Sequence, residues 1–323
     1  MTRICSVLES RIHGCLWGLA VGNLLGLSTE SFSRPEVRGM LGEQGPLLCL
    51  PVEEADRPWD DDLAMAVKLA EWLCEGTEDP AVLMNAYLCW FMENGRGAGS
   101  LTSSVMVLAK RGDFLAAQTV WKSHRRSGRP PQGNGSLMRV APIGLAYASE
   151  PRRIRDLALL DASLTHWDPI CGEASAFLAL VISALVNRQA EAVEWAKAAM
   201  ETRVSAELAS ILEPISLEDL EARRLDGEDM GHVLLTLRIA LAVLNAGLSF
   251  EEGLLWTLRQ GGDTDTNGAV VGALCGARDG LEAIPPEWRA CLSQPEKLQG
   301  IGERIIRISL VGSLEQVKNG SEQ

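Results

Sequence analysis

Two stretches of the chain carry side chains able to do chemistry together. In "RPWDDDLAMA", residues 57–66, Asp60, Asp61 and Asp62 are consecutive and run into an apolar helical pattern. Far downstream, in "RQGGDTDTNG", residues 259–268, Asp263 and Asp265 alternate with Thr264 and Thr266 ahead of another. Either stretch alone reads as an ordinary helix start, because Asp and Thr are favoured N-cap residues. Together they offer five carboxylates and the Thr266 hydroxyl, an all-oxygen donor set of the kind that hard divalent cations such as Mg²⁺ or Mn²⁺ prefer. Carboxylates gathered that closely repel one another unless cations neutralise them. In a chain of buried helices, the pair of stretches points to metal binding, provided the fold brings them together.

The elements that must position them are helical. Apolar residues recur at helical spacing over residues 63–74, 81–92, 101–111, 172–187, 191–202, 230–246, 250–260, 266–278 and 301–311. No alternating stretch is long enough to argue for a central sheet, and aromatic residues make up only 5% of the chain. Gly14, Gly18 and Gly22 recur every fourth residue in "GCLWGLAVGNLLGL". On a helix they make a smooth ridge that lets a neighbouring helix approach closely. That run is too short to span a membrane and lacks the flanks of a signal peptide. The breaks at 93–100, 127–136 and 259–265 are glycine-rich, and each leads into another helix rather than forming a linker. The polar stretch 205–229 reads as a surface insertion. The expectation is a single all-α domain over residues 1–323, with its chemistry in loops between rigid helices.

Composition removes several classes. The formal charge is -13 and the pI about 4.9, which argues against a nucleic-acid footprint. Eight cysteines are scattered without a CxxC pair, so a reducing, cytoplasmic setting is simpler than a disulfide framework. No membrane association is expected.

Several segments, in order along nearly the whole chain, resemble the ADP-ribosylglycohydrolase family. "GCLWGLAVGNLLGLSTE" is similar to the family's opening GxxxGxAxGDALGxxxE, and "WDDDLAMAVKLAEWL" to its WTDDTxMALALAESL. "GNGSLMRVAPIGL" and "SLTHWDPICGEASAFLALVISAL" match central motifs, and "GGDTDTNGAVVGALCGARDGLEAIPPEWR" the C-terminal signature. Aligning Met65, Ala66, Leu69, Ala70, Glu71 and Leu73 sets Asp60 at the first Thr of TDDT, with Asp61 and Asp62 as the paired aspartates. The chain departs from the pattern at Asn23 (Asp in the family), Leu24 (Ala), Asp60 (Thr) and Leu63 (Thr). The carboxylate at 60 is expected to tighten metal binding rather than abolish it.

The resemblance implies a single compact orthogonal helical bundle with a dinuclear metal cleft. The ligands would be Asp60, Asp61, Asp62, Asp263, Asp265 and Thr266, and the cofactors two divalent cations, Mg²⁺ or Mn²⁺. The implied activity is removal of mono-ADP-ribose from a modified protein side chain, arginine first, with ADP-ribose released. Glu30 occupies the family's loop-glutamate position and is the proton-exchange candidate, with Asp62 beside the metals as the second catalytic candidate; a solvated loop glutamate is the bland alternative for Glu30. In an acidic protein the diphosphate needs neutral donors, which glycine-rich loops at helix N-termini supply. Gly97, Gly99 and Ser100 are candidates in one such loop, and Asn134, Gly135, Ser136 and Met138 in another. His166 is balanced between a binding and a structural role; Trp167 is a candidate to line an adenosine pocket, with core packing the favoured reading. Linkage specificity is assigned to loops at 31–55 and 205–229. A reading from another class is an ADP-ribose-binding or toxin-neutralising protein that docks to an ADP-ribosyltransferase. A two-metal phosphohydrolase is the third, lacking the usual His–Asp ligand patterns.

Overall fold

Helices make up every regular element among the described residues, apart from one isolated bridge between Gly133 and His232. The computed structural model describes residues 2–42, 58–128, 130–201 and 204–320. In chain order the helices are α1 (Thr2–Gly26), α2 (Arg34–Leu41), α3 (Asp61–Glu75), α4 (Pro80–Glu93), α5 (Ser100–Lys110) and α6 (Ala116–Arg126). There follow α7 (Ala141–Ala146), α8 (Pro151–Thr165), α9 (Pro169–Val186), α10 (Ala192–Ala199), α11 (Ala206–Ile211) and α12 (Leu217–Glu221). The last are α13 (Val233–Asn245), α14 (Phe250–Leu258), α15 (Thr264–Asp279), α16 (Pro286–Ala290) and α17 (Pro295–Gly320).

α9 is apolar on every side and almost wholly buried, as a helix with no polar face must be. It is long and apolar enough to cross a membrane, but 89% of it lies inside this fold. Pro169 at its first turn and Asp168, whose carboxylate accepts the Ile170 N–H at 3.3 Å, fix where it starts. A fully buried ion pair lies beside it. Arg139 donates to Asp161 at 3.0 Å, stacks over the Tyr87 ring at 4.6 Å and donates to the Gly135 carbonyl at 3.2 Å. Tyr87 in turn donates to Asp161 at 2.7 Å. Every charge and polar atom in this group has a partner, the condition for burying a charge without a large penalty. The group also anchors the 133–138 loop.

The glycine ridge of α1 meets a matching row on α15. A Cβ at Gly14, Gly18 or Gly22 would run into the backbone of Gly276, Gly272 or Gly268 respectively, and the reverse substitutions would strike α1. At the top of the seam, a Cβ on Gly26 would strike the backbone of Thr264 and Asp265. Backbone-to-backbone contact over this length sets the start of α15 relative to α1.

Two readings from the sequence change. The helix expected over 191–202 ends at Ala199, with Glu201 in a positive-φ conformation, and Thr202 lies outside the described residues. The 205–229 stretch is more than surface. It folds as α11 and α12, buries Leu208, Leu220 and Leu225, and its Asp226 carboxylate accepts the Arg34 N–H at 2.8 Å.

Candidate active site

Asp60 is the N-cap of α3, and Asp61 and Asp62 begin its first turn; Asp263 is the N-cap of α15, with Asp265 and Thr266 in its first turn. If the acids were only caps, the Asp60 and Asp263 side chains would accept first-turn N–H groups. Neither does. They turn inward, and Asp60, Asp61, Asp62, Asp265 and Thr266 are all buried. One carboxylate oxygen from each of Asp60, Asp61 and Asp62 can lie within 4.8 Å of the others.

The two turns converge. α3 packs against α15, and the carboxyls act on one another. Burial first, then the charges of Asp265, Asp61, Asp60 and Asp263, push Asp62 well above the usual carboxylate range. Asp61 rises through burial and through Asp60, Asp265 and Glu30, and Asp265 through burial and Asp263. Burial also raises Asp263, against hydrogen bonds with Asp265, Asn134 and Thr266.

Three buried acceptor atoms here have no hydrogen-bond partner: Asp62 Oδ1, Asp265 Oδ1 and Asn267 Oδ1. A buried acceptor left unpaired costs about 1–3 kcal/mol, more when charged. Clustered oxygens with raised proton affinity and no donors are what a divalent cation satisfies, so this donor set fits a metal. Asn267 is a residue the sequence reading missed. Its signal was there, in a run of polar side chains from Asp263 to Asn267 entering an otherwise buried helix.

The departures at 23 and 60 touch. The Asn23 amide donates to Asp62 Oδ2 at 3.1 Å and reaches Asp60 Oδ2 at 3.5 Å. The family pattern has a carboxylate at 23 and a hydroxyl at 60; this chain has an amide at 23 and a carboxylate at 60. The charge moves across one contact and its total is unchanged. Arg96 stands on the far side of Asp60, with Nε 3.7 Å from Oδ1 and Nη1 donating to the Pro58 carbonyl at 2.9 Å. Sequence reasoning had no role for Arg96. Gly97 follows it at φ 77°, and a Cβ there would come within 2.5 Å of Asp61 Oδ1 and would also strike Asp60, so only glycine fits.

Glu30 stands exposed at the edge of the acidic cluster. Its loop is tied to the downstream acidic turn by two backbone bonds, Ser31 N–H to the Gly262 carbonyl (2.7 Å) and Gly262 N–H to the Phe32 carbonyl (2.8 Å). Thr29 adds a hydroxyl bond to Thr264 at 3.0 Å. Partial desolvation, then the charges of Asp265 and Asp60, raise the Glu30 carboxyl to about 7 against the pull of Arg96. Residues 43–57, which include most of the 31–55 loop expected to set specificity, lie outside the described residues.

The expected diphosphate loops divide. Gly99 is the N-cap of α5 and supplies no side-chain cap, so the exposed Gly99–Ser100 turn presents first-turn N–H groups next to the acidic cluster. In the second loop the Asn134 N–H donates to the Gly231 carbonyl and the Met138 N–H to the Asn134 carbonyl, so both are already engaged. The Ser136 and Met138 side chains are buried in the core, away from solvent. The Asn134 side chain instead donates to Asp263 Oδ2 at 2.7 Å and to Thr236 at 2.9 Å. It aims a carboxylate. His166 is buried beneath this loop, where a Cβ on Gly135 would come within 2.7 Å of its ring, and its Nδ1 lies 2.8 Å from the Thr165 hydroxyl. Burial and the nearby Arg139 charge lower it to about 3, so it is neutral. Trp167, expected in the core, is 38% exposed.

Residues 5–316 match the family profile described as ADP-ribosylglycohydrolase. The chain belongs to that family, whose members are enzymes that hydrolyse glycosidic bonds of ADP-ribose. A solved structure titled "ADP-ribosylglycohydrolase-related protein complex" superimposes with a TM-score of 0.75 at 30% identity, covering 94% of this chain and 99% of that one. The ADP-ribosylarginine hydrolase Tri1 of Serratia proteamaculans is 26% identical over 93% of this chain and 81% of its own length. The ADP-ribosyl-[dinitrogen reductase] glycohydrolase of Rhodospirillum rubrum is 25% identical over 87% and 90%.

Proposed function

We propose that the protein releases ADP-ribose from mono-ADP-ribosylated arginine side chains, using divalent cations held by Asp60, Asp61, Asp62, Asp263, Asp265 and Thr266. The observation that carries this reading is the meeting of two acidic helix starts around buried, unpartnered carboxylate oxygens. Bound divalent cations, Mg²⁺ or Mn²⁺, supply positive charge to hold the ribose hydroxyls and to polarise water.

The residues divide the remaining work. The uncapped Gly99–Ser100 helix start offers N–H groups to the diphosphate, and the Arg96 guanidinium lies alongside. Glu30 at the mouth exchanges a proton near neutral pH, as a carboxyl raised to about 7 can. Hydrolysis breaks the bond from the anomeric carbon to the guanidine nitrogen; the bond electrons leave with that nitrogen. Water forms the new C–O bond, and its proton passes through Glu30 to the departing guanidine. Arginine as the leaving side chain is supported by the name of the Tri1 relative and by the acidic mouth, where Glu30 and its neighbours suit a guanidinium.

The test is a panel of arginine-linked, serine-linked and O-acetyl-linked ADP-ribose substrates with and without EDTA. The reading expects metal-dependent release from the arginine conjugate. Release from none of the three, or release that EDTA leaves unchanged, contradicts it.

A further inference from the structure

The α5–α6 hairpin stands apart from the rest of this acidic molecule in charge. Its inner face forms a small cluster of Val105, Ala116, Ala117 and Val120; Met84 packs against both this cluster and the main core, which Met106 of α5 also enters. Its outer surface carries Lys110, Arg111, Lys122, Arg125 and Arg126, all exposed, with one nearby carboxylate, Asp113. The whole chain has 30 Lys and Arg against 43 Asp and Glu, so five cations against one acid is a local reversal. None of the five makes an ion pair among the described residues. At the turn between the helices Phe114 is 99% exposed and Leu115 60% exposed. A large aromatic beside basic residues, on a turn, is the composition of a binding anchor rather than of a solvated face.

The hairpin is also wired to the site. α5 begins at the Gly99–Ser100 turn beside the acidic cluster. On α6, Trp121 Nε1 donates to Asp168 at 2.9 Å, close to His166. Ten residues of helix set the basic turn roughly 15 Å from Ser100.

We propose that this hairpin is a docking surface for an acidic protein, the one that carries the ADP-ribose, with Phe114 as the anchor and the basic residues as the steering field. Charge complementarity selects that partner. A polyanion long enough to leave the patch would meet the surrounding negative charge, since the field of five cations is screened within about 8 Å at physiological salt. The apolar anchor likewise favours a protein face over a nucleic-acid backbone.

The proposal rests on the hydrolase reading only for where the partner's modification goes, so binding and turnover are measured separately. Fluorescently labelled, unmodified ovalbumin serves as the acidic probe and lysozyme as the basic one. Arginine-ADP-ribosylated forms of both, and ADP-ribosyl-arginine itself, serve as substrates. Two variants are compared with the wild type, Phe114→Ser and the combined Lys110→Glu, Arg111→Glu.

The proposal expects ovalbumin binding to weaken, and the KM for modified ovalbumin to rise, by about 10-fold, with the salt dependence flattened. The kcat, the lysozyme conjugate and the small substrate should be unaffected. Equal loss on the small substrate would show a structural role and overturn the proposal, as would unchanged ovalbumin binding. Variant-sensitive binding of a single-stranded RNA oligonucleotide at physiological salt would assign the patch to nucleic acid, and variant-sensitive dimers would assign it to a second copy of this chain. If no substrate is hydrolysed even by the wild type, the activity reading fails while the ovalbumin arm still decides the docking surface.

Discussion

The two acidic turns hold the same kind of side chain by different means. The downstream turn, at the start of α15, is set by backbone. The α1–α15 glycine seam ends at Gly26 against Asp265, and two main-chain bonds tie Gly262 to the Glu30 loop. The upstream turn, at the start of α3, is set by side chains: Asn23 holds Asp62 and reaches Asp60, Arg96 neutralises Asp60 from the other side, and the bare Gly97 leaves it room. A turn fixed by backbone tolerates little change in its residues. One fixed by side chains can carry its carboxylate on either side of a contact, as the difference from the family pattern at positions 23 and 60 illustrates. The departures from the family pattern fall on the adjustable turn.

The largest expected effect comes from breaking the rigid side. Gly268→Leu drives a side chain into the α1 backbone at Gly22, and should lose about 3 kcal/mol or more in thermal or urea melts. Gly39→Ala, where an added Cβ meets nothing within 4 Å, is the control and should melt at or slightly above the wild-type temperature.

Next comes the repulsion shared by both turns. Asp62→Asn removes a charge that its buried neighbours oppose, so the metal-free protein should melt higher than wild type while losing its response to added Mn²⁺. A lower metal-free melting temperature would mean that Asp62 is a structural acceptor and not part of a strained cluster.

The pH dependence has a definite sign. The carboxyls of Asp61, Asp62, Asp263, Asp265 and Glu30 are raised, so the folded state holds more protons than the unfolded state above the ordinary carboxylate range. Metal-free stability therefore falls as pH rises through that window, and is regained as pH drops below it. Cations compete with those protons. The increase in melting temperature given by Mn²⁺ should be larger at about pH 8 than at about pH 5, reaching on the order of 5 °C at a hundredfold excess over Kd.

The smallest effects separate the two modes of support. Asn134→Ala frees Asp263 and should weaken Mn²⁺ affinity about 10-fold by titration calorimetry. Arg96→Ala removes a competing cation from Asp60 and should leave affinity equal to or above wild type. If both variants weaken binding equally, the distinction between the turns fails.

Much of this arrangement could be read before the fold. The glycine spacing on α1 implied a close helix neighbour, and apolar periodicity located most long helices. What the sequence could not show was the identity of that neighbour, because a smooth ridge does not name its partner. α6 and α8 escaped notice because charged residues interrupt their periodicity; Asp161 and Arg155 are buried charges on a helix whose surface would otherwise read as solvated. Motif position assigns Asn134 and Met138 to substrate, yet the Asn134 N–H donates to the Gly231 carbonyl and the Met138 N–H to the Asn134 carbonyl. Motif order identifies which residues gather at a site, but the direction of each donor depends on turn geometry that residue type does not specify.

The central claim is that both turns hold the same cations, and titration of Mn²⁺ against wild type, Asp62→Asn and Asp265→Asn, followed by electron paramagnetic resonance, tests it most directly. The account predicts that either substitution, on helices far apart in sequence, reduces bound Mn²⁺ and alters the spectrum of what remains. Full Mn²⁺ binding with an unchanged spectrum in either variant would contradict it.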